Sequence, residues 1–477
     1  MSGGIMQLVA YGAQDMYLTG QPQITFFKMI YRRHTNFSME SVEQTFTGAV
    51  DFGRKVTCTV SRNGDLIHKA YLQVTLPEVT VPQGEGNRFR WLNWLGHVMI
   101  KNVEVEIGGS RIDKHYGEWL HIWNELTQKP GLAAGYAAMV GNVPRLTQMY
   151  RARANASVTV PTYTMYIPLQ FWWNRHAGLA LPLIALQFHD VKLNIEFREL
   201  RNCMYYEGTA PTIPTLPSAS LWIDYIYLDA LERKRFAQVS HEYLIETLQF
   251  TGDESITNSN NRLRLNFNHP CKALYWVVQP ESNVAASVEG GPQWFNFTDA
   301  VDNTFYTGTP ANPYGGGLTG TDGDAALPLF DSSGGIGGSV TSVSAITGTV
   351  GAEWGNILNA QGNPLFDSGY NPVAVAKLQI NSHDRFAERA GDYFNLVQPY
   401  QHHTRVPATG INMYSFALKP EEHQPSGSIN MSRIDTATLH LTLTSAAAQG
   451  ACKVKIFALS YNVLRVISGM AGLAYAN

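Results

Sequence analysis

Apolar and polar residues alternate along much of the chain, as they do in a strand with one buried and one exposed face. The apolar positions of six such segments are Val56, Cys58 and Val60; Leu72, Val74 and Leu76; Val103, Val105 and Ile107; Val191, Leu193, Ile195 and Phe197; Leu263, Leu265 and Phe267; and Leu439, Leu441 and Leu443. Alternation is typical of antiparallel sheets, because strands of parallel sheets are usually buried on both faces. The pattern predicts an all-β protein built of sandwiches. It also predicts a tight hairpin at Asn63-Gly64, since both residues accept a positive φ.

Helical spacing is scarce, and two short segments carry it. Trp119, Trp123 and Leu126 recur at intervals of four and three residues, and Pro130 closes the segment. A second helix is predicted over 385–397, ending before Pro399, because a proline inside a helix lacks the N–H and clashes with the preceding turn. Both helices are short, so the all-β prediction stands.

The two predicted helices lie in similar sequence surroundings. Arg111-Ile112 is followed after four residues by GEWL at 117–120, and Arg385-Phe386 is followed after four residues by GDYF at 391–394. The offset is 274 residues, and strands surround each copy in the same order. Such self-similarity indicates an internal duplication. We therefore predict two similar sandwiches in tandem with a boundary near 231–240, where Arg233-Lys234-Arg235 is interpreted as a solvated linker.

The segment 281–371 interrupts the second predicted sandwich. It has eleven glycines between 315 and 351 and many Ser, Thr, Asp and Asn, so we predict a long surface insertion. A GxGxxG pattern at 315–320 lacks the strand and the helix that a dinucleotide site needs. Loop solvation also explains three acidic residues better than a Ca²⁺ site, because the remaining ligands of a calcium loop are missing. These residues are Asp322, Asp324 and Asp331.

Length and composition narrow the classes of function. A chain of 477 residues is too long for one hydrophobic core, and 44% of its residues are hydrophobic while only 15% are charged. So few charges suggest that partners cover part of the surface. The formal net charge is −3 and no basic stripe is present, which argues against direct binding of nucleic acid.

Cysteine spacing and the chain ends bear on the compartment. The four cysteines, at 58, 203, 271 and 452, do not cluster, which excludes a disulfide scaffold and a thiolate zinc site and fits a reducing compartment. Residues 1–17 contain no Lys or Arg, and Arg465 interrupts the apolar stretch 463–476. We therefore expect neither a secretion signal nor a membrane span.

Histidine-containing motifs are the most tempting candidates for chemistry. His402-His403, as adjacent strand residues, would point to opposite faces and could not easily share a metal ion. His383-Asp384-Arg385 is interpreted as the polar start of a helix, and His189-Asp190 as a capping contact. No P-loop, HExxH, GxSxG or EF-hand pattern occurs. We predict that the protein is not an enzyme and has no catalytic, cofactor-binding or metal-binding residues.

Several long segments resemble the major capsid proteins of nucleocytoplasmic large DNA viruses, the double jelly-roll family. They are LVAYGAQD at 8–15, QITFFK at 23–28, YRRHTNF at 31–37, LPLIALQF at 181–188, PSGSINMSRID at 425–435 and YNVLRVISGM at 461–470. The resemblance covers nearly the whole chain apart from the Gly-rich insertion.

The resemblance implies two tandem eight-stranded jelly rolls, with short helices and long loops. We expect an N-terminal arm at 1–40 lying under the capsomer, a first jelly roll at 41–236 and a second at 237–477, with the insertion 281–371 on the outer surface. Three copies would form a pseudo-hexagonal capsomer that tiles an icosahedral shell. Replacing 290–368 with a short Gly/Ser linker is then expected to leave a soluble trimer.

The family also implies partners and a location. The partners would be two further copies in a homotrimer, neighbouring capsomers, minor capsid and penton proteins and a possible internal viral membrane, without direct contact to nucleic acid. Arg32, Arg33 and His34 could meet the minor proteins or the membrane, although a solvated face explains them equally well. The protein would belong to the virion capsid and assemble in the host cytoplasm.

Two other classes of function remain open from the sequence. A carbohydrate-binding β-sandwich is suggested by ten tryptophans that could stack on sugars, although packing in a core or interface is the default for most of them. These include Trp91, Trp94, Trp119, Trp123, Trp172 and Trp173. A jelly-roll oxygenase ranks third, because the chain lacks the HxH arrangement of small enzymes of that type.

Overall fold

The computed structural model describes residues 3–216, 218–288, 290–301 and 369–475, and the chain divides into two units, Met1–Phe37 and Ser38–Asn477. The first unit contains two short helices, Gly3–Val9 and Met16–Thr19. None of its described side chains is buried. This unit has no core of its own, and the arm at 1–40 stays a prediction.

Eight main strands form the first sandwich. They are β1 (Phe37–Gln44), β2 (Lys55–Thr59), β3 (Leu66–Leu76), β4 (Ile100–Ile107), β5 (Ser110–Tyr116), β6 (Tyr163–Pro168), β7 (Val191–Phe197) and β8 (Ser218–Leu228). One sheet has the strand order β1-β8-β3-β6 and the other has the order β2-β7-β4-β5. Shorter strands are Val79–Val81, Arg88–Trp91, Tyr150–Arg151, Val158–Val160, Leu181–Pro182 and Met204–Glu207.

Helices of the first sandwich lie in the connections between strands. The α-helices are Leu95–Met99, Gly117–Thr127, Ala133–Met139, Pro144–Thr147 and Trp172–Arg175, and the 3₁₀ turns are Pro130–Leu132, Ala177–Leu179, Leu183–Ala185 and Leu200–Asn202. The helix Gly117–Thr127 includes all three residues whose spacing predicts it. Among the described residues, no helix has the length and apolar character needed to cross a membrane.

The second sandwich repeats the strand order of the first. Its main strands are β9 (His241–Ile256), β10 (Asn260–Arg264), β11 (Pro270–Pro280), β12 (Val373–Ile380), β13 (His383–Asp384), β14 (Ile411–Ser415), β15 (Ala437–Leu443) and β16 (Cys452–Ile467). The sheet orders are β9-β16-β11-β14 and β10-β15-β12-β13. Each strand of the second sandwich therefore corresponds to the strand of the first whose number is eight lower, as β9 corresponds to β1. This correspondence confirms two tandem jelly rolls and supports an internal duplication.

Shorter elements complete the second sandwich. The strands are Arg389–Ala390, Ile429–Asn430 and Met470–Leu473, and the 3₁₀ turns are Met431–Arg433 and Ala447–Gln449. The helices are Ala230–Gln238, Glu281–Val284, the π-helix Tyr393–Val397 and Gln398–His402.

Each sandwich has its own core of inward-facing strand residues. The alternating apolar positions predicted from the sequence are all buried, as Leu72 and Val105 illustrate in the first core and Leu439 in the second. Full burial of such a side chain stabilises the fold by about 1.5–3 kcal/mol. The period-two pattern is thus explained by the division between the inner and outer faces of the sheets.

The predicted hairpin at Asn63-Gly64 is wrong. The strands on either side, β2 and β3, belong to different sheets, so this connection crosses from one sheet to the other. A Cβ on Gly64 would lie 2.9 Å from the Cβ of Tyr225, so the close approach of the chain to Tyr225 explains the glycine. The turn signal identifies a tight connection but not the partner of the next strand.

Two local predictions near the helices also need correction. The second helix begins at Gly391 rather than at residue 385, and it continues past Pro399 to His402. Pro399 lies in the first turn of the α-helical segment Gln398–His402, where a missing N–H is tolerated. Arg233, Lys234 and Arg235 are exposed, as the interpretation of a solvated segment requires, but they lie in the helix Ala230–Gln238. The Arg233 guanidinium pairs with Asp65 at 3.0 Å.

The edges of the predicted insertion 281–371 contain buried residues. Asn283, Phe297 and Asn371 are buried, and the amide of Asn283 donates to the carbonyl of Thr298 at 2.9 Å. Residues 302–368, including the Gly-rich pattern and the acidic residues at 322, 324 and 331, lie outside the described part of the chain. The prediction of a surface insertion therefore remains for 302–368 alone.

Replacement of 302–368 by a short Gly/Ser linker should preserve the fold, whereas replacement of the wider range 290–368 should not. The backbone N–H of Asp299 donates to the carbonyl of Tyr370 at 3.0 Å, so the two ends to be joined are already adjacent. The wider replacement removes buried Phe297, whose loss should lower the free energy of unfolding by about 3–5 kcal/mol. Urea unfolding of both variants measures the difference. Equal stability of the two would contradict a structural role for 290–301.

Candidate functional site at the contact between the two sandwiches

The helix Gly117–Thr127 belongs to the first sandwich and contacts the second. Its first residue must be a glycine, because a Cβ at Gly117 would overlap the carbonyl oxygens of His97 and Ile100. Leu120 points into the core of the first sandwich. Every residue from Gly117 to Leu126 is buried, so this short helix is covered on both of its faces.

The second sandwich supplies the cover through the outer face of one sheet. The helix packs four side chains, Trp119, Ile122, Trp123 and Leu126, into a cluster with residues of that sheet. The sheet residues of this cluster are Leu248, Ala273, Tyr275, Val277, Ile411, Met413, Phe457 and Leu459. The ring of Trp119 lies 5.2 Å from that of Tyr275 and 5.5 Å from that of Phe457. Strand β11 is consequently buried on both faces, and the two sandwiches share one continuous apolar contact.

A buried ion pair network lies beside this cluster. The Glu118 carboxylate is 3.1 Å from the guanidinium of Arg198 and 3.1 Å from the ammonium of Lys455 on β16. Burial opposes the ionisation of Glu118, but the charges of Lys455 and Arg198 outweigh it and lower the pKa to about 2. Glu118 and Arg198 belong to the first sandwich and Lys455 to the second, so the network crosses the contact.

In a second network, the carboxylate comes from the second sandwich and the cation that crosses the contact comes from the first. Glu246 of the second sandwich binds Arg175 of the first at 3.0 Å and Lys272 of β11 at 2.6 Å. Burial disfavours the carboxylate, yet Arg175 and further hydrogen bonds lower the pKa of Glu246 to about 2. Lys272 is fully buried, and its ammonium also donates to the carbonyl of Glu422 at 2.9 Å.

Three further polar contacts fix the relative position of the sandwiches. The Asp113 carboxylate on β5 accepts a 3.0 Å hydrogen bond from the backbone N–H of Leu248 on β9. Arg405 donates its backbone N–H to the carbonyl of Leu126 at 3.0 Å, and its guanidinium lies 3.4 Å from Glu125. These contacts join residues far apart in sequence, so no local sequence motif predicts them.

Two buried histidines lie next to the helix. His97 and His121 are 5.8 Å apart between ring centroids, and His97 shares a 2.8 Å hydrogen bond with the hydroxyl of Tyr136. Burial lowers the pKa of His97 to about 3 and holds the pKa of His121 well below its ordinary value. Both side chains are therefore neutral at physiological pH and pack as flat aromatic groups.

A cavity of about 430 Å³ lies beside Glu246. The carboxylates that line this cavity, those of Glu246, Glu421 and Glu422, all pair with other side chains of the protein. Glu421 accepts from the hydroxyl of Thr404 at 2.6 Å and lies 2.7 Å from Nδ1 of His403. Within the described ranges, no group of three or more His, Cys, Asp and Glu residues is placed to hold a metal ion. The absence of catalytic, cofactor and metal residues stays a prediction.

The histidine motifs of the sequence are separated in space and differ from their expected settings. His402 ends a helix rather than lying in a strand, and its Nδ1 is 2.9 Å from the carbonyl oxygen of Leu418. Its neighbour His403 is buried and lies 3.2 Å from the hydroxyl of Tyr275. Asp384 lies in strand β13, not at a helix start, and pairs with Lys377 at 2.9 Å.

His189-Asp190 does not form a dyad, and its histidine contacts the chain near the C-terminus. The Nδ1 atom of His189 accepts a 3.1 Å hydrogen bond from the backbone N–H of Ala471. Asp190 pairs instead with Arg62 at 3.5 Å. This contact replaces the local cap predicted from the sequence.

The six tryptophans named from the sequence offer little surface for stacking on sugars. Trp94 is half-buried, and the other members of the group named above are buried: Trp91, Trp119, Trp123, Trp172 and Trp173. Trp119 and Trp123 belong to the contact between the sandwiches. Their burial favours a role in packing over one in carbohydrate binding.

The fold and the buried contact define a double jelly-roll protein, and comparisons with known proteins identify its family. Residues 25–229 match the family model for the major capsid protein N-terminus, and residues 232–472 match that for the large eukaryotic DNA virus major capsid protein. The chain is 50% identical to the major capsid protein of Phaeocystis pouchetii virus, with all of both chains covered.

Solved structures agree with these relatives. A quasi-atomic model of the PBCV-1 virus capsid aligns with a TM-score of 0.67 and 34% identity, covering 95% of this chain and 100% of that one. The Faustovirus major capsid protein shares the fold, with a TM-score of 0.71, 12% identity and coverage of 96% and 94%. The chain belongs to the family of large eukaryotic DNA virus major capsid proteins. It is a structural component of a virion capsid and not an enzyme.

Removal of the charge at Glu118 should destabilise the protein strongly. The substitution Glu118→Gln keeps the size of the side chain but leaves Arg198 and Lys455 buried without their anion. Loss of one partner from a buried ion pair lowers the free energy of unfolding by about 3–5 kcal/mol. Urea unfolding at pH 7 measures the change.

The matched control is Glu242→Gln, which removes a carboxylate from an exposed pair with Arg465. Exposed pairs contribute little, so this variant should unfold close to the wild type. Equal effects of the two substitutions would contradict a special role for the buried network.

Acid should weaken the protein in two stages. Below pH 6.5 the unfolded chain takes up protons at its histidines, whereas His97 and His121 stay neutral in the folded protein, so stability falls as the pH falls. Below pH 4.5 a second decrease begins, because folded Glu118 and Glu246 stay ionised until about pH 2. Each group contributes a slope of up to about 1.4 kcal/mol per pH unit. Urea unfolding between pH 7 and 3 measures both stages.

The variant Glu118→Gln separates the contributions to this pH dependence. It should retain the decrease that begins below pH 6.5 and show a shallower slope below pH 4.5. A free energy of unfolding that stays constant from pH 7 to pH 4 would contradict the neutral buried histidines.

Proposed function

We propose that three copies of this chain form a pseudo-hexagonal capsomer, and that capsomers tile an icosahedral shell of a large DNA virus. The observation that carries this proposal is the repeated sandwich. Two domains of the same strand order are joined rigidly through a buried contact, so three chains present six similar domains around one axis. Such a particle can occupy a position of nearly sixfold symmetry while its own symmetry is threefold. The matched relative from PBCV-1 comes from a virus capsid.

A structural role is compatible with the described residues, among which no group of three or more His, Cys, Asp and Glu side chains is placed to hold a metal ion. Buried charges are paired across the contact between the sandwiches, Lys455 with Glu118 and Arg175 with Glu246, where they position two domains rather than face a substrate. Capsomers at high concentration must also avoid uncontrolled strand pairing, and jelly rolls restrict the exposed edges at which such pairing begins.

The N-terminal unit is proposed to act as an arm that contacts other proteins of the virion. Its exposed apolar side chains are numerous, and Phe26, Phe27 and Tyr31 are among the most exposed. Burial of a large apolar side chain contributes about 1.5–3 kcal/mol, so such a segment gains stability when a partner covers it. Minor capsid and penton proteins, or the surface of an internal membrane near Arg32 and Arg33, are the proposed partners.

Further parts of the proposal concern neighbours and place of assembly. Capsomers would contact neighbouring capsomers in the shell, without direct contact to nucleic acid, since the chain carries a net charge of −3. Assembly is proposed to occur in the host cytoplasm, which fits four buried cysteines that form no disulfide.

Light scattering coupled to size-exclusion chromatography tests the oligomeric state. The expected mass is three times 52.9 kDa, or about 159 kDa, and it should persist on dilution as expected for a large obligate interface. Electron microscopy of the same fraction should show particles with hexagonal outlines. A stable single chain or a dimer would contradict the proposed capsomer.

A further inference from the structure

The helix over 391–402 in the second sandwich exposes an apolar face. Leu396, Val397 and Tyr400 are 47%, 40% and 80% exposed. At the offset of 274 residues they correspond to Ile122, Trp123 and Leu126, which are buried against the neighbouring sandwich. The two copies of the helix therefore differ in whether a neighbour covers them.

Both helices are placed on their own sandwiches in the same way. Gly391 corresponds to Gly117. A Cβ at either position would overlap the carbonyl oxygen of the first residue of a corresponding strand, Ile100 of β4 for Gly117 and Val373 of β12 for Gly391. Phe394 corresponds to Leu120, and each side chain lies in the core of its own sandwich. Gly391 and Phe394 thus anchor the second helix as Gly117 and Leu120 anchor the first. The exposed residues follow within and after a π-helical turn at Tyr393–Val397 that the first helix lacks.

The first sandwich also has a sheet face that corresponds to the covered face of the second. Strand β3 maps onto β11 from end to end at an offset of 204 residues, which places Tyr71 at the position of Tyr275. Opposite Tyr71 lies Trp222, as Phe457 lies opposite Tyr275. In the second sandwich, Trp119 packs on the pair Tyr275 and Phe457. In the first sandwich, the corresponding pair Tyr71 and Trp222 is half-buried, and none of the described helices packs on it as Gly117–Thr127 packs on the second.

The neighbouring strand extends the same face. Tyr166 on β6 lies opposite Gln73 and is 44% exposed, and the corresponding residue Ile411 is buried under the helix Gly117–Thr127. The first face is more polar, since Lys69, Gln73 and Asp224 occupy the positions of Ala273, Val277 and Leu459. A more polar face is expected where the surface meets water before it meets its partner.

We infer that the helix over 391–402 of one copy docks on the outer face of the β1-β8-β3-β6 sheet of the next copy. This inference rests on the proposed trimer and names the surfaces that close it. Within residues 38–301 and 369–475, as far as the structure describes them, both surfaces are uncovered. The occupant of each in this inference is a second copy of the chain. The contact is head-to-tail, because the second sandwich of one chain meets the first sandwich of the next. If the contacts within and between chains are alike, six sandwiches complete a ring, and six sandwiches are three chains.

A double substitution tests the helix face. Leu396→Asp together with Tyr400→Asp places two charges on exposed positions, so the fold of the single chain should survive, as circular dichroism and thermal unfolding will show. The expected mass by light scattering is that of one chain, 52.9 kDa. The matched control is Leu231→Asp, at an exposed leucine of the helix Ala230–Gln238, and it should keep the wild-type mass.

The outcomes separate this inference from the proposed function. A wild-type protein that is not a trimer would overturn the proposed function itself. A trimeric wild type whose double variant is also trimeric would overturn the docking surface and leave the trimer standing. Dissociation of the Leu231→Asp control as well would also count against the inference, because the effect would not be specific to this face.

Cross-linking tests the pairing of the two surfaces directly. The four native cysteines are buried, so introduced cysteines are the accessible ones. The paired variant Leu396→Cys/Tyr166→Cys, treated with a short bis-maleimide, should give covalent dimers and trimers on a denaturing gel, and each single variant should stay monomeric. Covalent dimers from Leu396→Cys alone would indicate a symmetric helix–helix contact and overturn the inference. So would a trimeric paired variant that yields no cross-linked chains.

Discussion

The structure depends on the burial of one amphipathic helix between two sandwiches. Without the helix Gly117–Thr127, the outer face of the second sandwich would expose Tyr275, Phe457 and their apolar neighbours to water. With it, residues 38–477 behave as one compact unit, although they contain two separate cores. A rigid pair of domains is the unit from which a ring of regular geometry can be built. The apolar contact supplies the energy, and the paired charges beside it define the relative position of the domains.

Those charges explain how a shared apolar contact acquires a single geometry. Ions removed from water are favourable only when their partners are placed correctly. A shift between the sandwiches would separate Lys455 from Glu118 and Arg175 from Glu246. The apolar side chains alone would tolerate small displacements, because dispersion and the hydrophobic effect are not directional. The same networks make the contact sensitive to acid, since it is held by carboxylates that must remain ionised.

The fold could be predicted from the sequence, whereas the contact between the sandwiches could not. Alternation identified the inward residues of the strands, and the two glycine-led helices revealed the duplication, because the same steric constraint acts on Gly117 and Gly391. Strands β11 and β16 show no clear alternation, because both of their faces are buried over most of their length. The ion pairs join residues separated by up to 337 positions, so no spacing rule finds them. A lysine inside an apolar run, as at Lys272 and Lys455, is the one local sign that a buried partner is required.

Because of the duplication, each sandwich has one such helix and one sheet face on which a helix can pack. Within the chain, the helix of the first sandwich packs on the sheet face of the second. A cryo-EM map of the purified assembly tests this account most directly. The account predicts three copies around a threefold axis, with Leu396 and Tyr400 of each covered by the sheet of the next that carries Tyr71 and Trp222. A trimer in which this helix faces solvent, or sandwiches that separate to expose Trp119, would contradict it.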